Sequence, residues 1–120
     1  MRMHTLLTAA AAAMCLVVGE ARAADPIKIG MPMILSGPGA LFGEPTLKGA
    51  QMLVDEVNEK GGVLGRKLEL ISKDTKGNAD EAVRVAREMI LKDEVDFLVG
   101  TFTAAEGPAV SPIAKENKVV

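Results

Sequence analysis

Residues 33–46, MILSGPGALFGEPT, place an apolar run, a loop with three glycines and a helix start in direct succession. A strand, a glycine-rich loop and a helix in this order can hold a phosphate. The glycines are spaced G-x-G-x-x-x-G, however, which is one residue longer than the dinucleotide fingerprint, and no Gly-Lys-Ser/Thr follows to make a P-loop. Phe42 also stands where a phosphate site requires a small residue. The stretch predicts a strand–loop–helix unit and argues against a nucleotide site.

The elements of this unit extend to both sides of the quoted stretch. Apolar residues alternate and then run continuously over residues 27–35, which predicts a strand buried on both faces. Pro32 cannot donate a hydrogen bond, so it implies a local irregularity or an unpaired N–H position. Apolar residues at helical spacing predict an amphipathic helix over residues 44–60, with Pro45 in its first turn and Gly61-Gly62 at its end.

The alternation of strand and helix continues to the last residue. The pattern predicts a strand over 66–72 and a helix opened by Asn78 and ending near 92–93, with the inner stripe Ala82, Val85, Ala86, Met89 and Ile90. It also predicts a strand over 95–99 closed by Gly100, a helix within 104–116, and the start of a strand at 118–120. Strands joined by helices at this rhythm form right-handed crossovers. The predicted fold class is α/β, an open parallel sheet with helices on both faces. Because the sequence stops within an apolar pair, we expect residues 24–120 to be one incomplete domain of a longer protein.

The first 23 residues have the three zones of a secretory signal peptide. Arg2 and His4 give a basic start, residues 6–18 are apolar except for Thr8, and Ala21-Arg22-Ala23 is a small-x-small cleavage pattern. The prediction is export with cleavage after Ala23. A buried N-terminal helix is the alternative. Lipid attachment at Cys15 is a lesser alternative, because Met14 fits poorly before a lipoprotein cysteine.

The composition that remains after cleavage excludes several kinds of chemistry. Removing residues 1–23 takes away the only Cys, the only His, two of the 14 basic residues and one of the 16 acidic residues, which leaves a net charge of −3. No Ser-His or Cys-His nucleophile pair and no imidazole or thiolate metal site can then form within residues 24–120. The mild acidity argues against nucleic-acid binding. Asp55, Glu56 and Glu59 are interpreted as a solvated helix face rather than an acid/base pair.

Three predicted loops leave the carboxyl ends of the strands, where open parallel sheets bind their ligands. Phe42 lies in the first loop and offers an apolar wall. The third loop has Thr103-x-x-Glu106, the spacing of a capping box, although the helix could also begin at Gly107-Pro108. Either start turns free amides and a helix N-terminus toward the crevice, which suits a carboxylate or phosphate. Two plainer interpretations stay open: Phe42 as a core residue, and Thr103 as a cap only.

The run at residues 55–67, DEVNEKGGVLGRK, resembles the type I periplasmic binding proteins, together with the Ser36-Gly37-Pro38 turn, Gly43 and Asp74. The most similar branch is the leucine/isoleucine/valine-binding group, the substrate-binding subunits of ABC importers. The resemblance covers residues 24–120. It implies a two-lobed, hinge-closing receptor, of which residues 24–120 are the N-terminal part of the first lobe.

The resemblance also implies where the ligand binds. Phe42 matches the aromatic position that covers the ligand side chain, and Thr103, Ala104 and Ala105 match the loop that holds the ligand carboxylate. Ala104 falls where branched-chain amino acid binders have a serine, so one hydroxyl bond of about 0.5–1.5 kcal/mol is missing and the ligand is left open. Gly77 and Thr103 occupy the positions of a disulfide found in the family.

The function that follows is a non-enzymatic, periplasmic solute-binding subunit of an ABC importer. Its ligand would be an amino acid, branched-chain or a related small carboxylate or amide. The partner would be a membrane permease. We expect a monomer with no cofactor, no metal and no nucleic acid. Two alternatives are kept: a ligand-sensing domain with the same fold, and a nucleotide-dependent α/β enzyme.

Overall fold

The computed structural model describes residues 24–120. The predicted signal peptide, its cleavage after Ala23 and Cys15 lie outside the described residues. The elements are β1 (Ile27–Met33), α1 (Ala40–Glu59), β2 (Leu68–Asp74), α2 (Ala79–Leu91), β3 (Phe97–Leu98) and α3 (Glu106–Glu116). Within this range, no helix combines the length and the apolar character needed to cross a bilayer.

The three strands form a parallel sheet in the order β2-β1-β3. The register of β1 against β2 runs from Ile27 opposite Leu68 to Met33 opposite Asp74. The chain moves from β1 to β2 in one direction and from β2 across β1 to β3 in the other. Crossovers between parallel strands are right-handed as a rule, and two that run in opposite directions place their helices, here α1 and α2, on opposite faces of the sheet. The predicted fold class is confirmed.

Helix α2 is the central packing element, and its inner stripe was predicted from sequence. Its buried residues are Ala82, Val85, Ala86, Met89 and Ile90. Ala82 and Ala86 form a cluster with Val110 of α3, and Met89 and Ile90 form one with Ile113 of α3. Leu98 of β3 packs against both clusters. Asn78 caps the helix as predicted, because its side-chain oxygen accepts from the amides of Asp80 at 2.9 Å and Glu81 at 3.1 Å.

Strand β3 (Phe97–Leu98) is shorter than the predicted 95–99, and Pro32 explains its early end. The carbonyls of Gly30 and Pro32 accept from the amides of Val99 at 2.8 Å and Thr101 at 3.3 Å. A continued parallel ladder would also need the Pro32 nitrogen to donate to the neighbouring chain, and proline has no N–H. This is the predicted irregularity. Residues 118–120 do not form a strand, although the Leu98 amide donates to the Val120 carbonyl at 2.7 Å.

The predicted start of α1 was wrong by four residues, since the helix begins at Ala40 and Pro45 lies in its second turn. The glycines of the loop explain the earlier start. The amides of Phe42 and Gly43 both donate to the Gly39 carbonyl. A Cβ on Gly43 would lie 1.6 Å from the Ile34 carbonyl oxygen, so only glycine lets the first turn lie directly on the chain leaving β1. The predicted end at Gly61-Gly62 is confirmed by the bond from the Gly62 amide to the Val57 carbonyl at 2.9 Å.

Strand β2 occupies Leu68–Asp74 rather than the predicted 66–72. Arg66 belongs instead to a tight turn, in which it exchanges two backbone hydrogen bonds with Val63. The side chain of Asn58 then pairs with both backbone groups of Leu68, at 2.8 and 2.7 Å, and fixes the first residue of the strand. Strand β1 likewise ends at Met33 and not at 35. The residues predicted to form a solvated helix face are exposed: Asp55, Glu56 and Glu59.

Helix α3 begins at Glu106, inside the predicted range, with Ala105 as its N-cap residue and no side-chain cap. The start is therefore neither at Thr103 nor at Gly107-Pro108. Pro108 lies in the first turn, where a helix needs no backbone donor, so its missing N–H costs no intrahelical bond.

Candidate functional site

The loops that leave β1, β2 and β3 meet along one rim of the sheet, which we call the carboxyl rim: residues 34–39, 75–78 and 99–105. Asp74 joins the first two loops. Its Oδ1 accepts from the amides of Leu35 at 2.9 Å and Lys76 at 2.8 Å. Burial raises the pKa of this carboxyl, but hydrogen bonds from the Ser36 hydroxyl and from those two amides hold the pKa below its ordinary value. Asp74 thus holds the loops after β1 and β2 together at the carboxyl rim.

The glycine-rich loop serves packing and turning rather than anion binding. The amides of Ala40, Phe42 and Gly43 donate to carbonyls of Gly37 and Gly39 within the same loop. A Cβ on Gly39 would lie 2.0 Å from the Ile34 side chain. Because three of its amides are already bonded internally, the loop does not present the row of free donors that a phosphate cradle requires.

Phe42 lies in the first turn of α1, next to the carboxyl rim and not in the loop after β1 as predicted. Its surface is 61% exposed, so it is not a core residue of the described part. Its ring stacks on that of Phe102, with centroids 5.7 Å apart and 17° between the planes. Phe102 is 44% exposed and comes from the loop after β3. It was not predicted as a site residue. The available signal was a second aromatic residue in another loop leaving a strand's carboxyl end.

The loop before α3 contains the other predicted site residues, Thr103, Ala104 and Ala105. The Thr103 amide is already engaged, because it donates to Oε2 of Glu106 at 2.8 Å. The amides of Ala104 and Ala105 donate to no other residue in the range 24–120, and both residues are exposed. Two amides at this helix start are therefore open to an acceptor from outside. The roles of these three residues and of Phe42 in ligand binding stay predictions.

Backbone strain precedes this loop. Thr101 has φ of 71°, a left-handed conformation that a β-branched residue seldom adopts. Such a residue costs about 1–3 kcal/mol, and it persists where surrounding contacts over-determine it. The turn at Thr101 directs the next two amides, those of Phe102 and Thr103, toward the same carboxylate oxygen of Glu106 at 2.9 and 2.8 Å.

Glu106 itself is fully buried beneath the loop. Burial raises the pKa of its carboxyl, but the Thr75 and Thr103 hydroxyls beside it and the amides of Phe102 and Thr103 hold the pKa below its ordinary value. These hydrogen-bond donors favour the ionised form of the carboxyl. Its Oε1 and the Thr103 hydroxyl have no partner in hydrogen-bond geometry among the described residues. The sequence indicated a capping box here, which has two hydrogen bonds. The one from the Thr103 amide to the Glu106 side chain forms, whereas the Thr103 hydroxyl caps no amide.

The structure also brings together the two positions that the resemblance pairs as a disulfide. A Cβ on Gly77 would lie 3.9 Å from Cγ2 of Thr103. The loops after β2 and β3 are thus in contact at the carboxyl rim without a covalent link.

Comparison with known proteins identifies the family. A family model described as "Periplasmic binding protein" matches residues 26–120, and the chain belongs to this family. The Leu/Ile/Val-binding protein homolog 7 of Brucella suis is 35% identical over 115 residues, which are 96% of this chain and 28% of that protein. The Leu/Ile/Val-binding protein BraC3 of Rhizobium johnstonii is 38% identical over 94 residues, 78% of this chain and 25% of the relative.

A solved structure agrees with the sequence relatives. The branched-chain amino acid transporter substrate binding protein LivJ of Streptococcus pneumoniae, solved in complex with isoleucine, superposes with a TM-score of 0.74 at 35% identity. The match covers 78% of this chain and 27% of that one. The predicted membership of the leucine/isoleucine/valine-binding branch of type I periplasmic binding proteins is confirmed. The chain spans about a quarter of the length of the relatives it matches.

Proposed function

We propose that residues 24–120 belong to the extracytoplasmic solute-binding subunit of an ABC importer, which binds an amino acid in a cleft between two lobes. The ligand is of the branched-chain type or a related small carboxylate or amide. Membership of the periplasmic binding protein family and the names of the relatives support this assignment. The signal-peptide pattern of residues 1–23 supports a periplasmic location.

The observation that carries the proposal is the meeting of two chemically different surfaces at the carboxyl rim. The stacked rings of Phe42 and Phe102 form an apolar wall. The amides of Ala104 and Ala105 offer two donors at the start of a helix. A small amphipathic solute with one polar acceptor group and one apolar group matches this arrangement, since amides satisfy the acceptor and the rings cover the apolar part.

Such a site works by binding alone. A ligand held between two lobes shifts the equilibrium between open and closed forms by its greater affinity for the closed form. The closed form is then the one that a membrane permease would recognise. We propose a monomer that acts without cofactor, because this mechanism needs a preorganised site and a hinge but no reactive side chain.

Isothermal titration calorimetry of the full-length protein tests the proposal. L-leucine, L-isoleucine, L-valine and the other natural amino acids would be titrated one by one. We expect saturable binding of at least one of them at one site per chain. Failure of every amino acid to bind, or chemical turnover of a bound one, would contradict the proposed function.

A further inference from the structure

We propose that Glu106 is a selectivity-determining residue of this site, which lowers the affinity for an anionic ligand group relative to an uncharged carboxamide. The inference rests on the proposed function, since it assumes that a ligand acceptor group binds at the amides of Ala104 and Ala105. It deepens that function by naming the residue that sets the charge preference.

The first observation is that the chain's own carboxylate already occupies part of the anion site. Oε2 of Glu106 accepts from the amides of Phe102 at 2.9 Å and Thr103 at 2.8 Å. Converging amides next to a helix start are what binds an external carboxylate or phosphate in other proteins. The ligand is left with the following amides, those of Ala104 and Ala105, one and two residues further along.

The second observation is that the charge of Glu106 is not cancelled by a cation. The side chain is fully buried, and no Lys or Arg in the range 24–120 forms an ion pair with it. Its other oxygen, Oε1, has no hydrogen-bond partner in the described part of the chain. The nearby Thr75 and Thr103 hydroxyls are neutral.

The balance of charges follows from these contacts. The N-terminus of a helix contributes about half a positive charge, whereas an ionised carboxylate contributes a full negative one. Two like charges a few ångströms apart in a partly buried site repel each other strongly enough to change an affinity about tenfold. An incoming carboxylate therefore meets repulsion from Glu106 that an incoming carboxamide does not.

The test compares matched acids and amides on the full-length protein. Wild-type protein and Glu106→Gln would be titrated with L-leucine and L-leucinamide, and with isovalerate and isovaleramide, at pH 7 and low salt. Glutamine is isosteric, and its carbonyl oxygen still accepts from the two amides. We expect the acid-to-amide affinity ratio to rise about tenfold in the variant, because the charge is removed.

A matched control makes the same chemical change at the other end of the helix. Glu116→Gln removes an exposed carboxylate from the last residue of α3 and should leave the acid-to-amide ratio unchanged. A general loss of loop order would weaken both members of each pair equally. A selective rise of the acid affinity is not a result that a purely structural role of Glu106 produces.

Each remaining outcome has a definite meaning. An unchanged ratio in Glu106→Gln, with binding retained, overturns this inference and leaves the proposed function standing. A wild-type protein that binds none of the probes and no amino acid overturns both. If Glu106→Gln does not fold, Glu106→Ser removes the same charge with a smaller side chain. This variant should raise the same ratio, and an unchanged ratio with binding retained overturns the inference.

Discussion

Phe42 and Phe102 stack on each other beside the carboxyl rim, with ring centroids 5.7 Å apart, although Phe42 lies in the first turn of α1 and Phe102 in the loop after β3. The contact joins the start of α1 to the chain leaving β3. Both rings keep much of their surface exposed. The pair is therefore a wall of the candidate site rather than part of the hydrophobic core.

Replacing Phe42 with alanine tests whether its ring binds the ligand or stabilises the fold. We expect Phe42→Ala in the full-length protein to weaken ligand binding about tenfold, because the ligand loses an apolar wall. The melting temperature of the apo protein should fall by less than about 3 °C, since the residue is mostly exposed and only the stack is lost. Calorimetric titration and thermal unfolding measure the two effects.

Phe97→Ala is the matched control, because Phe97 lies in β3 opposite Ile29 and away from the loop that contains Phe102. It should leave the ligand affinity unchanged. A fall of the apo melting temperature by 10 °C or more in Phe42→Ala would indicate instead that Phe42 stabilises the fold.

Two glycines of α1 differ in what surrounds them, and alanine should have opposite effects at the two sites. Gly43→Ala would place a Cβ 1.6 Å from the Ile34 carbonyl oxygen, whereas a Cβ on Gly49 meets nothing within 4 Å. We expect Gly43→Ala to lower the free energy of unfolding by about 3 kcal/mol or more. Gly49→Ala should raise it by about 1 kcal/mol, because alanine favours the helix. Urea unfolding of both variants measures this, and equal effects would contradict the packing described at Gly43.

The cap of α2 allows a local test of stability. Asn78→Ala removes the oxygen that accepts from the amides of Asp80 and Glu81, so the free energy of unfolding should fall by about 1 kcal/mol. Asn78→Asp keeps an acceptor at the same place and should restore most of that loss. Both variants can be compared by urea unfolding. A loss in Asn78→Asp as large as that in Asn78→Ala would show that the acceptor is not the stabilising group.

Asp74 predicts how stability depends on pH. The folded-state pKa of Asp74 lies below the ordinary value. Burial raises this pKa, but the hydrogen bonds from the Ser36 hydroxyl and from the amides of Leu35 and Lys76 lower it by more. A depressed pKa contributes stability that is present above the unfolded-state pKa and is lost as the pH falls through the folded-state pKa. Asp74→Asn should therefore be less stable than wild type at pH 7, and the difference should shrink toward pH 3.

The urea midpoint measured at several pH values checks this prediction. Asp55→Asn removes a charge from an exposed residue of α1 and should change the midpoint little at any pH. If the difference in urea midpoint between wild type and Asp74→Asn stays constant from pH 7 to pH 3, the ionised form of Asp74 is not the one that stabilises the fold.

The sequence predicted those parts of the fold that depend on local properties of the chain. The stripe of α2 and the Asn78 cap could be predicted because burial of one helix face and capping of one end are local properties of the chain. The parallel sheet followed from the alternation of elements. The boundaries of β2 and β3 could not be predicted, because they depend on partners far along the chain: Asn58 for the first residue of β2 and Pro32 for the early end of β3.

The candidate site was predictable only in part for a similar reason. Phe42 could be placed near the rim because it closely follows β1, but its stacking on Phe102 requires the start of α1 and the loop after β3 to meet in space. The spacing Thr103-x-x-Glu106 indicated that Thr103 would cap the helix. The strained turn at Thr101 instead directs the amides onto Glu106, and no local pattern predicts which half of a capping box will form.

The pairing of Asn58 with Leu68 has a consequence for self-association. Strand β2 is an edge strand of the three described, and the backbone groups of an exposed edge can recruit a strand from another molecule. The carboxamide of Asn58 occupies the first donor and the first acceptor of that edge, as a neighbouring peptide group would. One side chain from the preceding helix thus blocks the place where an intermolecular ladder would begin.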